Sequence, residues 1–297
     1  MVRDAWNFTA VPFEGTLTPV AFCCGQPQEE VLARLEWLFR ERQRFGLITG
    51  ASGVGKSHLA TMAVRRLGGL GAEAVLLSLS GVPEGEWLDL LLTRLPLDRA
   101  SCNEPLSAWQ KLENRLRENR LMERPTVLVV DDLDRAPPDA LAGLTRLIGS
   151  PEPRFAWTLV VGTATPPADL PAGLRDRTSL RIELDPWSEA DVAHFLATSL
   201  VRVGGDPAIF SPAAMATISR FTGGQPRLVC RLAHLALAAA AGEGQSCVSA
   251  ATVERVWLTL TPAAGHADAS DLRSDSAHQL PAGPPRSRVR PVRRLFE

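Results

Sequence analysis

Gly50-Ala51-Ser52-Gly53-Val54-Gly55-Lys56-Ser57 satisfies the pattern G-x-x-x-x-G-K-[ST] in full. Glycines let the backbone wrap closely, so that amide N–H groups point inward at phosphate oxygens. A helix opening near Lys56 adds the positive end of its dipole. Lys56 is expected to reach the β- and γ-phosphates, and Ser57 to place its hydroxyl on magnesium. His58 follows directly and is grouped with the nucleotide-binding residues. The chemistry implied is the binding of a nucleoside triphosphate with Mg2+ in a P-loop.

Val127-Leu128-Val129-Val130-Asp131-Asp132 is a hydrophobic run ending in acid, the form of a Walker B strand. The strand is expected to lie beside the P-loop strand and to deliver Asp131 to the magnesium. Asp132 stands where a carboxylate polarises an attacking water, one methylene shorter than Glu, so hydrolysis is expected to be slow. Asp134 reads as a helix cap. Thr163, with Thr165 second, ends the next strand and is the candidate for holding water or the γ-phosphate. Arg177, favoured over Arg175, is the candidate to neutralise charge on a nucleotide bound by an adjacent subunit. Arg227, in Gly223-Gly224-Gln225-Pro226-Arg227, would pair with the γ-phosphate only when that group is present.

These residues need a scaffold, and the hydrophobic periods supply one. Helical spacing runs over 28–44, 56–67, 84–95, 105–122 and 138–148. Strand-like runs occupy 45–49, 74–79, 126–130, 157–161 and 180–184. Their alternation predicts an α/β fold, a three-layer P-loop NTPase with a parallel sheet covered on both sides. After Asp185 the strands stop, and 188–200, 212–220, 226–241 and 250–260 read as the helices of a small all-α lid. Ser188 and Asp191 form an N-cap arrangement with Asp in place of Glu. The expected organisation is a lead segment over 1–26, irregular and packed on the core through Trp6, Phe8, Phe13 and Phe22; an α/β nucleotide-binding domain over 27–185; the lid over 186–260; and a disordered tail over 261–297. The tail carries Arg286, Arg288, Arg290, Arg293 and Arg294, which read as solvated charge, or as a weak contact for nucleic acid or an acidic partner.

Composition narrows the class. The 297 residues are 45% hydrophobic and 22% charged with formal charge -1, so no global field points to a nucleic acid or a basic partner. Cys23, Cys24, Cys102, Cys230 and Cys247 include no C-x-x-C pair, so neither a disulfide framework nor a zinc site is expected. No signal peptide is read. The longest apolar stretch, 228–241, is interrupted by Arg231 and His234 and falls short of the ~20 residues that cross a bilayer. A cytoplasmic protein without membrane insertion is expected.

With these residues in place, the chain resembles an AAA+ ATPase, and within that superfamily the ATPase domain of the ExeA, or general secretion pathway A, group. The resemblance covers residues 6–260. It rests on Trp6-Asn7-Phe8 with Pro12-Phe13, the helix around Glu30 to Leu35, the P-loop, Asp131-Asp132, the Leu174 to Arg177 segment, and Gly223 to Leu228. It implies an ATP-driven homo-oligomer with Lys56, Ser57 and Asp131 on nucleotide and magnesium and Arg227 as second sensor. ATP, rather than GTP, is also what the resemblance implies. The chain departs from the family pattern at Asp132, where Glu is usual, and at Thr163, where a longer polar side chain is common. Members that act in secretion continue into a membrane helix and a periplasmic peptidoglycan-binding part, neither of which is read here. Similar cores occur in TniB-type transposition regulators, which load onto DNA, and in signalling switch ATPases with Asp-Asp at the same place. Three activities are therefore open: a machine that remodels or assembles a partner, a slow nucleotide-controlled switch, and a DNA-loading regulator.

Overall fold

The computed structural model describes residues 2–13, 26–96, 106–149 and 157–260. Phe22, Cys23, Cys24, Cys102 and the arginines of the 261–297 tail lie outside the described residues. Five parallel strands form one sheet: β1 Phe45–Gly50, β2 Glu73–Ser78, β3 Thr126–Asp131, β4 Trp157–Thr163 and β5 Leu180–Leu184. Their order is β2-β3-β4-β1-β5. β3 and β4 are buried at every residue, which is why they read as unbroken apolar runs. β5 is an edge strand with a single buried residue, Ile182.

The order corrects one expectation. β3 does not lie beside the P-loop strand β1; β4 is inserted between them and pairs with both. Asp131 therefore approaches the P-loop across β4 rather than from an adjacent strand.

Two apolar layers close the sheet. Leu77, Trp87, Leu112, Leu128, Val130, Leu144 and Val161 belong to one. Leu32, Leu35, Leu38, Ile48, Leu59, Ala63, Val127, Val129 and Ile182 belong to the other. Alternate residues of β3 thus point to opposite layers, as the two-residue period of a strand requires. The helix expected over 28–44 is Gln26–Arg40. It stops where Arg42 takes a left-handed φ of 51° and Gln43 N–H donates to the Leu38 carbonyl. The helix expected from Pro105 begins at Ala108, fixed by a reciprocal capping box between Ser107 and Gln110.

A third apolar cluster holds the helices Glu189–Arg202, Pro212–Thr222, Pro226–Gly242 and Ala250–Leu260 together. The first of these carries the expected Ser188–Asp191 capping box. The lead segment departs from expectation. It contains a short helix, Val2–Ala5, and its aromatics join this helical cluster rather than the α/β core. Phe13 packs against Phe195 and Phe210, and Trp6 Nε1–H donates to the Leu237 carbonyl. Large aromatic rings gain most where other rings offer apolar contact, and the helical region supplies those rings.

Candidate functional site

The P-loop leaves β1 at its carboxyl edge and enters the Lys56–Gly69 helix. Gly55 caps that helix with φ 107°, a left-handed backbone that a side chain would strain. Lys56 is buried, and its Nζ donates to the carbonyls of Gly50 (2.8 Å) and Ala51 (3.0 Å). Burial pushes its ammonium below the ordinary range; Asp134, Asp131 and Asp132 pull it back up, and Arg227 pushes it further down. His58 is half-buried on the first turn of the same helix.

Asp131 ends β3 and is buried. Burial raises its carboxyl above the ordinary range. The Ser57 hydroxyl donates to it and opposes that shift, the Asp132 charge adds to it, and Lys56 opposes it. The approach across β4 works because β4 carries Gly162 at this level. A Cβ there would come within 2.8 Å of Asp131 Oδ1. A hydroxyl and a carboxylate side by side are the oxygen donors a hard cation takes. Among the described residues no group of three His, Cys, Asp or Glu forms a closed metal cage. A Mg2+ held by one or two protein oxygens with phosphates and water requires no such cage, so the residues present fit the ion.

Asp132 is half-buried in a left-handed conformation, φ 58°. Its Oδ2 accepts from Ser78 Oγ at 2.9 Å, and its N–H donates to Asp131 Oδ1 at 3.0 Å. Thr163 ends β4 and is fully buried. Its hydroxyl meets Asp134 Oδ1 at 3.4 Å and accepts from the Thr165 N–H at 3.0 Å. Asp134 is not the helix cap that the sequence implied. It sits in a short 3-10 turn, Leu133–Arg135, and accepts from the Ala164 N–H at 2.9 Å. The next helix begins only at Pro138, so the Asp134 carboxylate ties the β3 exit to the β4 exit instead.

The Gly223–Arg227 turn docks directly on the P-loop. Gln225 Nε2–H donates to the Ser52 carbonyl, and the Arg227 backbone N–H donates to the Gly53 carbonyl at 3.2 Å. The second bond uses a donor that any helix start leaves without an intrahelical partner. Gln225 precedes the helix without capping it, since its amide is engaged across the gap. A Cβ on Gly53 would lie 3.3 Å from both Arg227 Cβ and the Gln225 amide carbon. Arg227 is thus brought to the P-loop, with its side chain exposed.

Arg177 is not. It precedes β5 at the amino edge of the sheet, opposite the P-loop, and is exposed. Arg175 pairs with Asp176 and with the Ala168 carbonyl, whereas Arg177 makes no ion pair among the described residues. Sequence reasoning missed Ser78, Gly162 and Gln225. Gly162 interrupting a β-branched run was a readable signal; the serine and glutamine carried none.

Residues 23–161 match the family described as AAA ATPase domain. General secretion pathway protein A of Aeromonas hydrophila is 26% identical over 252 residues, 82% of this chain and 46% of that protein. The chain therefore spans about half the length of that relative. Among solved structures, the Thermotoga maritima RuvB Holliday junction branch migration motor aligns with TM-score 0.57 at 18% identity, over 82% of this chain and 72% of that one. Cdc6p from Pyrobaculum aerophilum aligns with TM-score 0.58 at 17% identity, over 83% and 68%. The ORC2 protein of Aeropyrum pernix, in ADPNP–ADP complexes, aligns with TM-score 0.59 at 14% identity, over 84% and 71%. At such identities these likenesses concern the fold alone. No helix of the described residues is long and apolar enough to cross a membrane. With its phosphate cradle and its sheet order, the chain carries over residues 23–161 a match to the AAA ATPase domain family, and it resembles the ATPase domain of general secretion pathway protein A.

Proposed function

We propose that the chain binds ATP with Mg2+ in the Gly50–Ser57 loop and hydrolyses it, as a cytoplasmic homo-oligomer, to assemble or remodel a protein partner. The observation that carries this reading is the convergence of Lys56, Ser57 and Asp131 at one edge of the sheet. Backbone N–H groups of residues 51–57, with Val54, Gly55 and His58 around them, would cradle the phosphates, and Lys56 would turn from the Gly50 and Ala51 carbonyls onto the terminal ones. Ser57 and Asp131 would hold the magnesium, which neutralises phosphate charge when bound. Asp132 would orient the attacking water and accept its proton. Thr163, held by Asp134, would position that water or the γ-phosphate. Arg227 would sense the γ-phosphate in its own subunit and Arg177 would serve a neighbouring one.

A second reading, the slow switch, draws on Asp132. Its carboxylate is shorter than Glu and already accepts from Ser78 Oγ. The DNA-loading reading draws on tail arginines that lie outside the described residues.

Equilibrium titration with ATP-Mg and steady-state turnover test the proposal together. Lys56→Ala is expected to weaken ATP at least about tenfold, since hydrogen bonds to charged groups contribute ~1.5–3 kcal/mol. Asp132→Asn is expected to retain binding and lose turnover. Retained affinity in the first would remove the phosphate role of the loop. Unchanged turnover in the second would clear Asp132 of any catalytic part.

A further inference from the structure

One peptide unit of the P-loop has two possible orientations, and a lid residue holds it in one. Val54 N–H donates to the Ala51 carbonyl at 3.3 Å, so residues 51–54 close a β-turn. Gly53 has φ 83° while Ser52 stays out of the left-handed region, which makes the turn type II with glycine at its third position. Turning over the central peptide, Ser52–Gly53, converts type II to type I and moves little else, because glycine accepts φ of either sign. Carbonyl and N–H lie on opposite sides of a trans peptide, so the two orientations exchange a donor for an acceptor at the same place.

We propose that Gln225 is a positioning residue for the phosphate tail of a nucleoside di- or triphosphate: it holds the Ser52 carbonyl toward the lid and so presents the Gly53 N–H to the phosphate. The inference rests on the P-loop reading. Gln225 Nε2–H donates to the Ser52 carbonyl, so that end of the peptide is taken by the lid. The Gly53 N–H, at the other end, has no backbone acceptor among the described residues. A P-loop works by aiming amide donors at one anion. Inverting this peptide would remove one of those donors and set the negative end of a carbonyl against phosphate oxygens instead.

Gln225 is itself held in place. Its N–H donates to the Thr222 carbonyl at 3.1 Å, and Pro226 opens the helix directly after it. The Gln225 backbone is extended, φ -72° and ψ 114°, the region that a following proline favours. The Arg227 N–H takes the Gly53 carbonyl at 3.2 Å, so two successive loop carbonyls face the same lid turn. The approach is close: a Cβ on Gly53 would lie 3.3 Å from Gln225 Nε2. The short polar residues usual before a helix would turn their side chains back onto its first amides. Glutamine leaves those amides alone and reaches the loop. Because Gln225 acts on the loop rather than on a phosphate, its effect is the same for a diphosphate and a triphosphate. Arg227, by contrast, is read as answering to the γ-phosphate alone.

Calorimetric titration of the full chain with ADP and with a non-hydrolysable ATP analogue, both with Mg2+, tests this. Gln225→Leu is expected to weaken both by the same factor, at least about fivefold, the scale of one hydrogen bond. Gln225→Glu keeps the length and loses the donor, and is expected to bind both at least as weakly as Gln225→Leu. In nuclear magnetic resonance spectra of the parent, ADP is expected to move the Gly53 amide proton downfield. That displacement is expected to shrink in Gln225→Leu while the amides of Gly55 and Lys56 keep theirs; a glutamine that only braced the lid would move all three together or none. Affinities unaltered in Gln225→Leu, or equal to the parent in Gln225→Glu, would overturn the proposal. So would a loss confined to the ATP analogue, which would put Gln225 on the γ-phosphate, or a Gly53 amide that keeps its displacement. A parent that binds neither nucleotide removes the P-loop reading and this proposal with it. A parent that binds both, with variants unaltered, removes this proposal alone.

Discussion

Burial strains the Asp131 carboxylate. Its folded-state value is raised above the ordinary 3.8, chiefly by burial. The folded chain therefore keeps this proton to higher pH than the unfolded chain does. Between about pH 4 and the raised value, the unfolded state binds fewer protons, and this group's contribution to stability falls as pH rises. Asp131→Asn removes that loss. The melting temperature of the nucleotide-free variant, relative to the parent, is expected to rise from pH 4 to pH 7, while its Mg2+-dependent ATP affinity falls. A constant difference across that range would mean that Asp131 is not strained by burial. Gly162 acts at the same scale. Its backbone is held by pairing to Ile48, so a methyl group 2.8 Å from Asp131 Oδ1 has to displace the carboxylate. Gly162→Ala is expected to weaken the Mg2+-dependent part of ATP binding about tenfold, the scale of one charged hydrogen bond. Equal affinity with and without the methyl, in titrations at fixed Mg2+, would exclude this spacing role.

Between elements, the lid and the P-loop share hydrogen bonds rather than merely facing each other. The Gly223–Arg227 turn holds this contact through Gln225 and the Arg227 amide. It is anchored on its other side by Gly224, whose carbonyl accepts from Trp187 N–H at 2.8 Å. Gly224 has φ 69°, and a Cβ there would meet the Trp187 carbonyl oxygen at 1.9 Å. The obstacle is backbone, so it cannot rotate away. Gly224→Ala is expected to destabilise the chain by at least about 2 kcal/mol, combining left-handed strain with a backbone clash. Thermal denaturation measures this directly, and a loss under about 0.5 kcal/mol, the scale of a plain surface substitution, would show the turn to be adaptable. A second consequence is mechanical. The helix Pro226–Gly242 begins on atoms already in contact with the P-loop, so a shift of the loop backbone would bear on it directly.

For the molecule as a whole, the informative residue is one that the site does not contain. Arg177 lies at the amino edge of the sheet, about 20 Å from its own P-loop by the length of β1. Any part it takes in hydrolysis requires another copy. Turnover per chain is therefore expected to rise with protein concentration and reach a plateau. Arg177→Ala should lower that plateau at least about 100-fold, within the ~10³–10⁵ that such arginines contribute, with ATP affinity unchanged. Turnover independent of concentration, or a plateau unmoved by the substitution, would end the role of Arg177 in a neighbour's site.

The sequence alone determined the parts whose chemistry is local. A glycine-bounded loop ending in Lys56-Ser57 is contiguous, and its backbone conformation depends on its own residues. The strands were legible because β3 and β4 bury both faces, and the lid helices because their apolar stripes follow a helical period. The tertiary structure decided what depends on which strand lies next to which. Strand order is set by packing of layers far apart in the chain, so the insertion of β4 between β1 and β3 left no mark in the sequence around Asp131. The same reason hid the work of Ser78 and Gln225 and the partnership of Asp134 with Thr163, and sent Phe8 and Phe13 to the helical cluster. Periodicity says that a face is buried; only the assembled chain says against what.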